Sequence, residues 1–172
     1  MSYESIDLVD SIKGFHRAFP TGVTVVTTSV NGVPYGLAVN AFSSVSMEPP
    51  LVMVCVKETS STYPHLFAVD TFGVSILASD QLPVANVFAT SGTDKFESIA
   101  WTTGASGVPL VDGASAQLEF RVQSRMRAGT HTIFVGLVTA AASYSKPPLV
   151  YLASKFYDGA SLVTVPLQEQ AR

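Results

Sequence analysis

The stretch VTVVTTSVNGVPYGLAVN, residues 23–40, carries the clearest structural signal in this chain. Its first eight residues are mostly β-branched, which favours an extended strand. Asn31-Gly32 follows, and this pair suits a two-residue hairpin turn because both residues tolerate positive φ. Residues 33–40 supply the returning strand. The stretch therefore predicts a β-hairpin near the start of the protein.

The chain around the end of this hairpin, residues 34–51, has features of a ligand-binding loop. It passes through Asn40 and several small or hydroxyl residues and stops at Pro49-Pro50, which cannot continue a helix or a central strand. Closely spaced backbone N–H groups and Ser hydroxyls suit a phosphate or the edge of a flat polar ring. The alternative interpretation is an ordinary polar turn between two core strands.

Elsewhere the pattern predicts mostly strands. A helix is predicted over residues 11–19, with Asp10 or Ser11 as its cap, and further helices over 64–69 and 80–89. Strands are predicted over residues 51–56, 71–77, 116–123, 130–142 and 149–157. The segment 51–56 is continuously apolar and is expected to be buried on both faces. Few helices and short turns favour an antiparallel barrel over a doubly wound parallel sheet.

Composition and charge limit the class of protein. The 172 residues are 47% hydrophobic and 13% charged, which indicates one domain and favours burial of surface in an oligomer. A net charge of −3 without a basic cluster argues against nucleic acid. The apolar runs are too short to span a membrane, and no secretion signal is recognised, so a cytoplasmic location is expected. We divide the chain into an extension (1–10), one domain (11–165) and a polar tail (166–172).

The cysteine and histidine content argues against a metal site. Cys55 is the only cysteine and lies in an apolar run, so it is expected to be a buried apolar residue. His16, His65 and His131 have no spacing that resembles a metal-binding motif. Neither glycine-rich nucleotide motif, G-x-G-x-x-G or G-x-x-x-x-G-K-[ST], occurs, so any nucleotide would be held in a different way.

Five motifs occur in order along residues 12–157. They are Thr21-Gly22-Val23-Thr24-Val25-Val26-Thr27-Thr28, Tyr35-Gly36-Leu37-Ala38-Val39-Asn40-Ala41-Phe42-Ser43-Ser44-Val45-Ser46, Pro49-Pro50-Leu51-Val52, Asp94-Lys95-Phe96 and His131-Thr132-Ile133-Phe134-Val135-Gly136. Together they resemble the short-chain flavin reductases that serve as reductase components of two-component flavin-dependent monooxygenases. The resemblance implies a mainly β, split β-barrel fold with a few flanking helices, usually assembled as a homodimer. It also implies oxidation of NADH or NADPH, reduction of FMN or FAD, and delivery of the reduced flavin to a separate oxygenase.

The resemblance also implies which residues contact the flavin. The positions that match are Thr21, Val23, Thr24, Asn40, Ala41, Phe42, Ser43, Ser44, Cys55, Ser60, Ser61, Thr62, Ala89, Lys95 and Phe96. Residues 40–44 match a loop around the ring edge and ribityl chain, and residues 60–62 match the phosphate end. In the family pattern Lys95 faces phosphate and Phe96 covers the pocket, whereas the alternative for Lys95 is an ordinary surface lysine.

Two residues are assigned to the nicotinamide on the same grounds. His131 matches a histidine that the family places beside this ring, and Tyr157 is a second candidate. A neutral imidazole could stack on the carboxamide or hydrogen-bond to it. Relatives usually have Gly-Asp-His where this chain has Gly129-Thr130-His131, so the carboxylate that would orient the imidazole is missing. No residue is assigned a chemical role in catalysis, because the cofactors carry the reaction.

Two rival functions fit the same barrel. A flavin-binding or storage protein would bind flavin without turnover, and substitution of His131 would leave it unchanged. An oxidase of a pyridoxal-type substrate would need basic phosphate clamps, for which the scattered Lys57, Lys95, Arg125 and Arg127 are too few. No Ser/His/Asp spacing supports a hydrolase.

Overall fold

The predicted hairpin forms as strands β2 (Thr24–Val30) and β3 (Val33–Val39) in the computed structural model, which describes residues 8–92 and 94–166. Asn31 and Gly32 make the turn with φ of 52° and 78°. Within the described residues the other strands are β1 Thr21–Gly22, β4 Phe42–Met47, β5 Pro50–Lys57, β6 Thr71–Ile76, β7 Trp101–Thr103, β8 Pro109–Val111, β9 Ala116–Ala128, β10 His131–Ser143, β11 Leu149–Leu152 and β12 Lys155–Asp158. The helices are α1 Leu8–Ala18, α2 Tyr63–Phe67 and α3 Leu82–Ala89. The protein is therefore mainly β with few helices, as predicted.

Seven strands form one antiparallel sheet in the order β3-β2-β6-β9-β10-β5-β4. Side chains from all seven strands pack into a single hydrophobic core. Phe72 lies at its centre, with its ring 5.2 Å from the rings of both Phe120 and Phe134. Val39 from one edge strand and Phe42 from the other contact this same core. The sheet must therefore curve until both edges face the same side chains.

A second hydrophobic core lies on the other side of strand β2. It joins Val23 and Val25 to Phe88 of helix α3 and to Leu149 of strand β11. Since successive residues of a strand point to opposite faces, β2 contributes Val25 to this core and Val26 to the first one. The sheet is thus covered on its outer side by α3 and by the small β1-β11-β12 sheet.

Strand β5 is buried on one face only, so the prediction of two buried faces was wrong. Val52, Val54 and Val56 are buried, whereas the alternate residues Leu51 and Met53 are half-buried. Their neighbours on β10 repeat this pattern, because paired residues share a face. The outer face of β5 and β10 is therefore an apolar surface that remains partly exposed.

Two hairpins differ from the predicted strands. Residues 124–128, which lie between the predicted strands 116–123 and 130–142, extend strand β9 and pair with β10 as far as Ala128. Residues 149–157, predicted to be one strand, form the β11–β12 hairpin. Its turn residues Ala153 and Ser154 have φ of 51° and 63°, which such residues seldom adopt, so the sequence carried no turn signal there.

The helices differ from prediction at their ends. Helix α1 already includes Leu8, so Asp10 lies inside the helix and is not its cap. The Asp10 side chain instead forms an ion pair with Lys13. Helix α3 begins at Leu82 after Gln81, not at a Ser or Asp cap. Residues 1–7 of the predicted extension and 167–172 of the predicted tail lie outside the described residues. In the part of the chain that is described, no helix is long and apolar enough to span a membrane.

The Gly136→Ala substitution is expected to lower the free energy of unfolding by about 1–3 kcal/mol, the usual cost of overpacking a filled core. A Cβ at position 136 would overlap Cδ2 of the Phe120 ring and would lie 2.7 Å from the carbonyl oxygen of Arg121. Urea denaturation measures the change. Gly14→Ala is the control, because nothing surrounds Gly14 in helix α1 and Ala favours the helix. Equal stability of the Gly136→Ala and wild-type proteins would contradict this packing.

Candidate functional site

A cleft of about 620 Å³ opens between helix α1 and the start of the main sheet. Its volume falls in the range of about 300–1,000 Å³ that small-molecule sites occupy. Its lining comes from α1, β1, the β3–β4 turn and β11: Phe15, His16, Phe19, Thr21, Asn40, Ala41 and Tyr151. Strand pairing explains part of this set, because Thr21 and Tyr151 lie opposite each other in the β1–β11 ladder.

The hydroxyl of Thr21 is the best indication of what the cleft binds. Its Oγ1 atom is buried, yet it has no hydrogen-bond partner among the residues that the structure describes. A buried polar atom left unpaired costs about 1–3 kcal/mol, so a ligand that supplies a polar edge here would be stabilised. The walls beside it are mainly aromatic and apolar. A flat ring with a polar edge, such as a flavin, fits this combination.

Strands on both sides hold the turn Asn40–Ala41 in place. The Cys55 N–H of β5 donates to the carbonyl oxygen of Ala41 at 2.9 Å, and the Thr24 hydroxyl of β2 donates to the carbonyl oxygen of Val39. Burial raises the pKa of the Cys55 thiol, which therefore stays protonated and serves as a packing residue. Thr21, Asn40 and Ala41 thus line the cleft. Val23 and Thr24 are buried, and Cys55, which was predicted to be buried, is half-buried; none of these three belongs to the lining.

Residues 42–47 form edge strand β4, so the ligand-binding loop predicted after the returning strand 33–40 is limited to a short turn at Asn40 and Ala41. Ser43 and Ser44 pair with Met53 and Val52 of β5, and Phe42 packs against the first core. Serine favours turns in local sequence, but the ladder with β5 overrides that preference. As an edge strand, β4 leaves alternate N–H and C=O groups outside the sheet, where a ligand could bind them.

A second group of predicted residues meets at the carbonyl oxygen of Gly36. Thr62 Oγ1 donates to this oxygen at 3.0 Å and Lys95 Nζ at 3.1 Å. Lys95 Nζ also approaches the carbonyl oxygen of Phe88 at 3.4 Å. Lys95 is only 7% exposed, and burial lowers its pKa. The alternative of an ordinary surface lysine was therefore wrong.

The neighbours of this second group are divided between core and surface. Phe96 is buried, with its ring edge-on to Phe88 at 5.2 Å and to Trp101 at 5.6 Å. Ala89 is exposed at the end of α3, next to Phe88. Ser60 Oγ accepts a hydrogen bond from the Thr62 N–H, and Ser61 is exposed.

His131 begins strand β10, at the end of the sheet where the Asn40–Ala41 turn lies. It pairs with Lys57 of β5. Lys57 is two residues from Cys55, a separation of about 7 Å along a strand. The His131 side chain is half-buried on the same sheet face as Cys55, and its Nδ1 lies 3.0 Å from Thr130 Oγ1. The imidazole therefore lies at the same end of the sheet as the Asn40–Ala41 turn, which lines the cleft.

Tyr157 lies on the outer strand β12 and is 42% exposed. Among the described residues, those that line the cleft include Tyr151 of the neighbouring strand and not Tyr157. Sequence reasoning missed Tyr151, the α1 residues Phe15 and His16, and Phe19, which directly follows α1. Helical spacing in α1 could have revealed an apolar face, but not which strands it covers. No cluster of three or more His, Cys, Asp or Glu side chains in the described residues is placed to hold a metal.

Comparisons with known proteins agree with this geometry. Residues 15–160 match the model of the flavin reductase like domain. A probable flavin reductase of Rhizobium meliloti is 40% identical over 124 residues, which are 72% of this chain and 40% of that protein. The reductase component of the flavin-dependent trigonelline monooxygenase of Acinetobacter baylyi is 33% identical over 162 residues, 94% of this chain and 52% of that protein. This chain thus spans about half the length of these two relatives.

One solved structure matches this chain over most of the length of both proteins. The NADH:FAD oxidoreductase SgcE6 of Streptomyces globisporus C-1027, in complex with NAD and FAD fragments, superposes with a TM-score of 0.83 at 36% identity. The match covers 90% of this chain and 95% of that one. With the family model matched over most of its length, this chain belongs to the flavin reductase like domain family.

Proposed function

We propose that the protein is an NAD(P)H-dependent flavin reductase that reduces FMN or FAD and supplies the reduced flavin to a separate monooxygenase. The observation that carries this proposal is the aromatic cleft with the unpaired Thr21 hydroxyl, at the same end of the sheet as His131. The names of its relatives, a monooxygenase reductase component and an NADH:FAD oxidoreductase, support it. The cytoplasm, where nicotinamide nucleotides are available, is the location that fits.

The chain's own task in this reaction is to hold two rings in contact. When bound, the flavin accepts a hydride from the nicotinamide, so the cofactors supply the chemistry. Thr21 Oγ1 and the amides of the Asn40–Ala41 turn and of β4 meet the polar edge of the first ring. The aromatic walls from α1 and β11 exclude water from its face. Such orientation is worth a large part of the barrier to a bimolecular step.

His131 orients the second ring in this proposal. Because the Thr130 hydroxyl lies at hydrogen-bond distance from Nδ1, the Nε2 atom is left to meet the nicotinamide carboxamide. The Thr130 hydroxyl thus replaces the aspartate expected before this histidine. It can set the orientation of the imidazole without adding a negative charge.

We infer that the main sheet is a split barrel. Edge strands β3 and β4 contribute to one core, and only residues Asn40 and Ala41 join them. A sheet whose two edges share a core in this way must coil around it. The coil brings the two edges together at the cleft.

We also propose that the protein is a homodimer. The outer face of β5 and β10 presents a row of half-buried apolar residues: Leu51, Met53, Cys55, Ile133, Val135 and Leu137. Helix α1, none of whose residues is buried, adds Ile12 and Phe15, and the exposed Phe19 follows directly after it. Contiguous apolar surface of this kind marks protein interfaces, and a chain with only 13% charged residues benefits from covering it. A second copy of the chain is the partner that the family resemblance implies.

The proposed activity predicts flavin-dependent oxidation of NADH or NADPH by the purified protein. Initial rates with two nicotinamides and three flavins, followed by loss of nicotinamide absorbance, test it and reveal the preferred pair. His131→Ala should raise the KM for the nicotinamide by about tenfold, because it removes an orienting group. Tight flavin binding with no oxidation above background, unaffected by His131→Ala, would instead indicate the non-catalytic flavin-binding protein.

Lys95→Met is expected to lower the free energy of unfolding by about 1–3 kcal/mol, since the Gly36 and Phe88 carbonyl groups lose a buried donor. Urea denaturation measures this change, and flavin titration of the same variant tests the predicted phosphate contact. Lys155→Met, at an exposed position on β12, is the control. A Lys95→Met protein of unchanged stability would contradict the structural role, and weaker flavin binding by it would then favour the phosphate role.

Val135→Glu is expected to convert the dimer into a monomer, because it places a charge in the middle of the proposed interface. Size-exclusion chromatography with light scattering measures the mass. Val33→Glu, on the exposed end of the β2–β3 hairpin, is the matched control and should leave the mass unchanged. A monomeric wild-type protein would overturn the proposed dimer.

A further inference from the structure

Glu58 lies directly after strand β5 and faces the turn that joins β9 to β10. Its N–H donates to the carbonyl oxygen of Thr130 at 3.0 Å. Its carboxylate accepts from Arg127 Nε at 2.8 Å, from Arg127 Nη2 at 2.5 Å and from Thr132 Oγ1 at 3.1 Å. The three partner residues of Glu58 are therefore Arg127, Thr130 and Thr132. Thr130 and Thr132 are the immediate neighbours of His131 in the chain. One residue thus binds both strands of the hairpin and the turn between them.

The carboxylate of Glu58 is held in a directional arrangement. The two-point contact with the Arg127 guanidinium fixes its plane, and charge-assisted bonds of this kind are about twice as strong as neutral ones. The Arg127 hydrogen bonds are the main reason that the pKa of Glu58 lies below its usual range, so the group remains ionised at neutral pH. Tyr63 Oη lies 2.9 Å from Thr132 Oγ1 and links this cluster to helix α2.

The turn itself has little else to hold it. Residues 128–130 are exposed, and a Cβ added at Gly129, whose φ is 61°, would meet no atom within 4 Å. In the described structure, the hydrogen bond of the His131 side chain is with Thr130, a residue of the same exposed turn. A segment with few packing contacts opens easily, so the orientation of His131 depends on what fixes the residues beside it.

We propose that Glu58 is a positioning residue for His131: by binding residues 127, 130 and 132, it sets the angle at which the imidazole meets the nicotinamide. This inference rests on the proposed function, in which His131 contacts that ring. Glu58 itself touches neither cofactor. Its carboxylate reaches the hairpin from the end of strand β5, so a neighbouring strand supports the histidine in addition to the hydroxyl of Thr130, which precedes it.

Steady-state kinetics of Glu58→Gln, His131→Ala and the double variant test the proposal. Glu58→Gln is expected to raise the KM for the nicotinamide about tenfold, because a small misplacement of an orienting group has effects of that order. Flavin affinity and the thermal midpoint should be unchanged. Adding Glu58→Gln to His131→Ala should raise the KM no further, since Glu58 acts only through His131. Asp70→Asn is the matched control. It breaks the ion pair between Asp70 and Arg125, which lies on β9 like Arg127, and it should leave the kinetics unchanged.

Each outcome decides a different question. If His131→Ala leaves the KM unchanged, the role of His131 in the proposed function fails, and the positioning proposal fails with it. If His131→Ala raises the KM and Glu58→Gln does not, the positioning proposal alone is overturned. The positioning proposal is also overturned if the double variant shows the combined effects of Glu58→Gln and His131→Ala on the KM. Arg127→Gln, at a side chain that is 76% exposed, gives a second route should Glu58→Gln fold poorly, and it should produce the same selective rise in KM.

Discussion

Strand β2 is buried on both faces, and the rest of the structure depends on how its polar groups are satisfied. Val26 faces the core inside the main sheet, while Val25 faces the core under helix α3. On either side of these two valines along the strand are the buried residues Thr24, Thr27 and Thr28. Their hydroxyls donate to the carbonyl oxygens of Val39, Pro109 and Thr71, respectively. Since an unpaired buried hydroxyl is costly, these bonds determine which segments can lie beside β2. They bring the end of β3, and with it the Asn40–Ala41 turn, to the edge of the cleft.

The cleft follows from this arrangement. Strand β2 and the residues before it place Thr21 where its hydroxyl finds no partner in the described part of the chain, while two residues away Val23 is buried in the second core. Strand β5 holds the other side of the turn through Cys55 and leads on to Lys57, opposite His131. One sheet end therefore carries the ring-binding cleft and the imidazole. The family's reaction requires little more from the protein, because the two cofactors carry the hydride chemistry.

Residues with strong local preferences allowed correct prediction from the sequence. The β-branched run with Asn31-Gly32 specified the first hairpin, and the five motifs identified the family. Features that depend on distant pairing were not predictable. Serines 43 and 44 look like turn residues until β5 pairs with them, and Ala153 and Ser154 adopt turn angles that their identities do not favour. For the same reason, nothing local indicated that Lys95 would bind a carbonyl of β3, or that Tyr151 would line the cleft beside Thr21.

We propose that two planar cofactors meet at this end of the sheet. A structure of the protein determined with flavin and NADH bound would test this. The polar edge of the flavin ring is expected within hydrogen-bond distance of Thr21 Oγ1 and the Asn40–Ala41 turn, with the nicotinamide between that ring and His131. A flavin bound elsewhere, for example in the shallow groove lined by Ala116, Leu118 and Ala141, would contradict it.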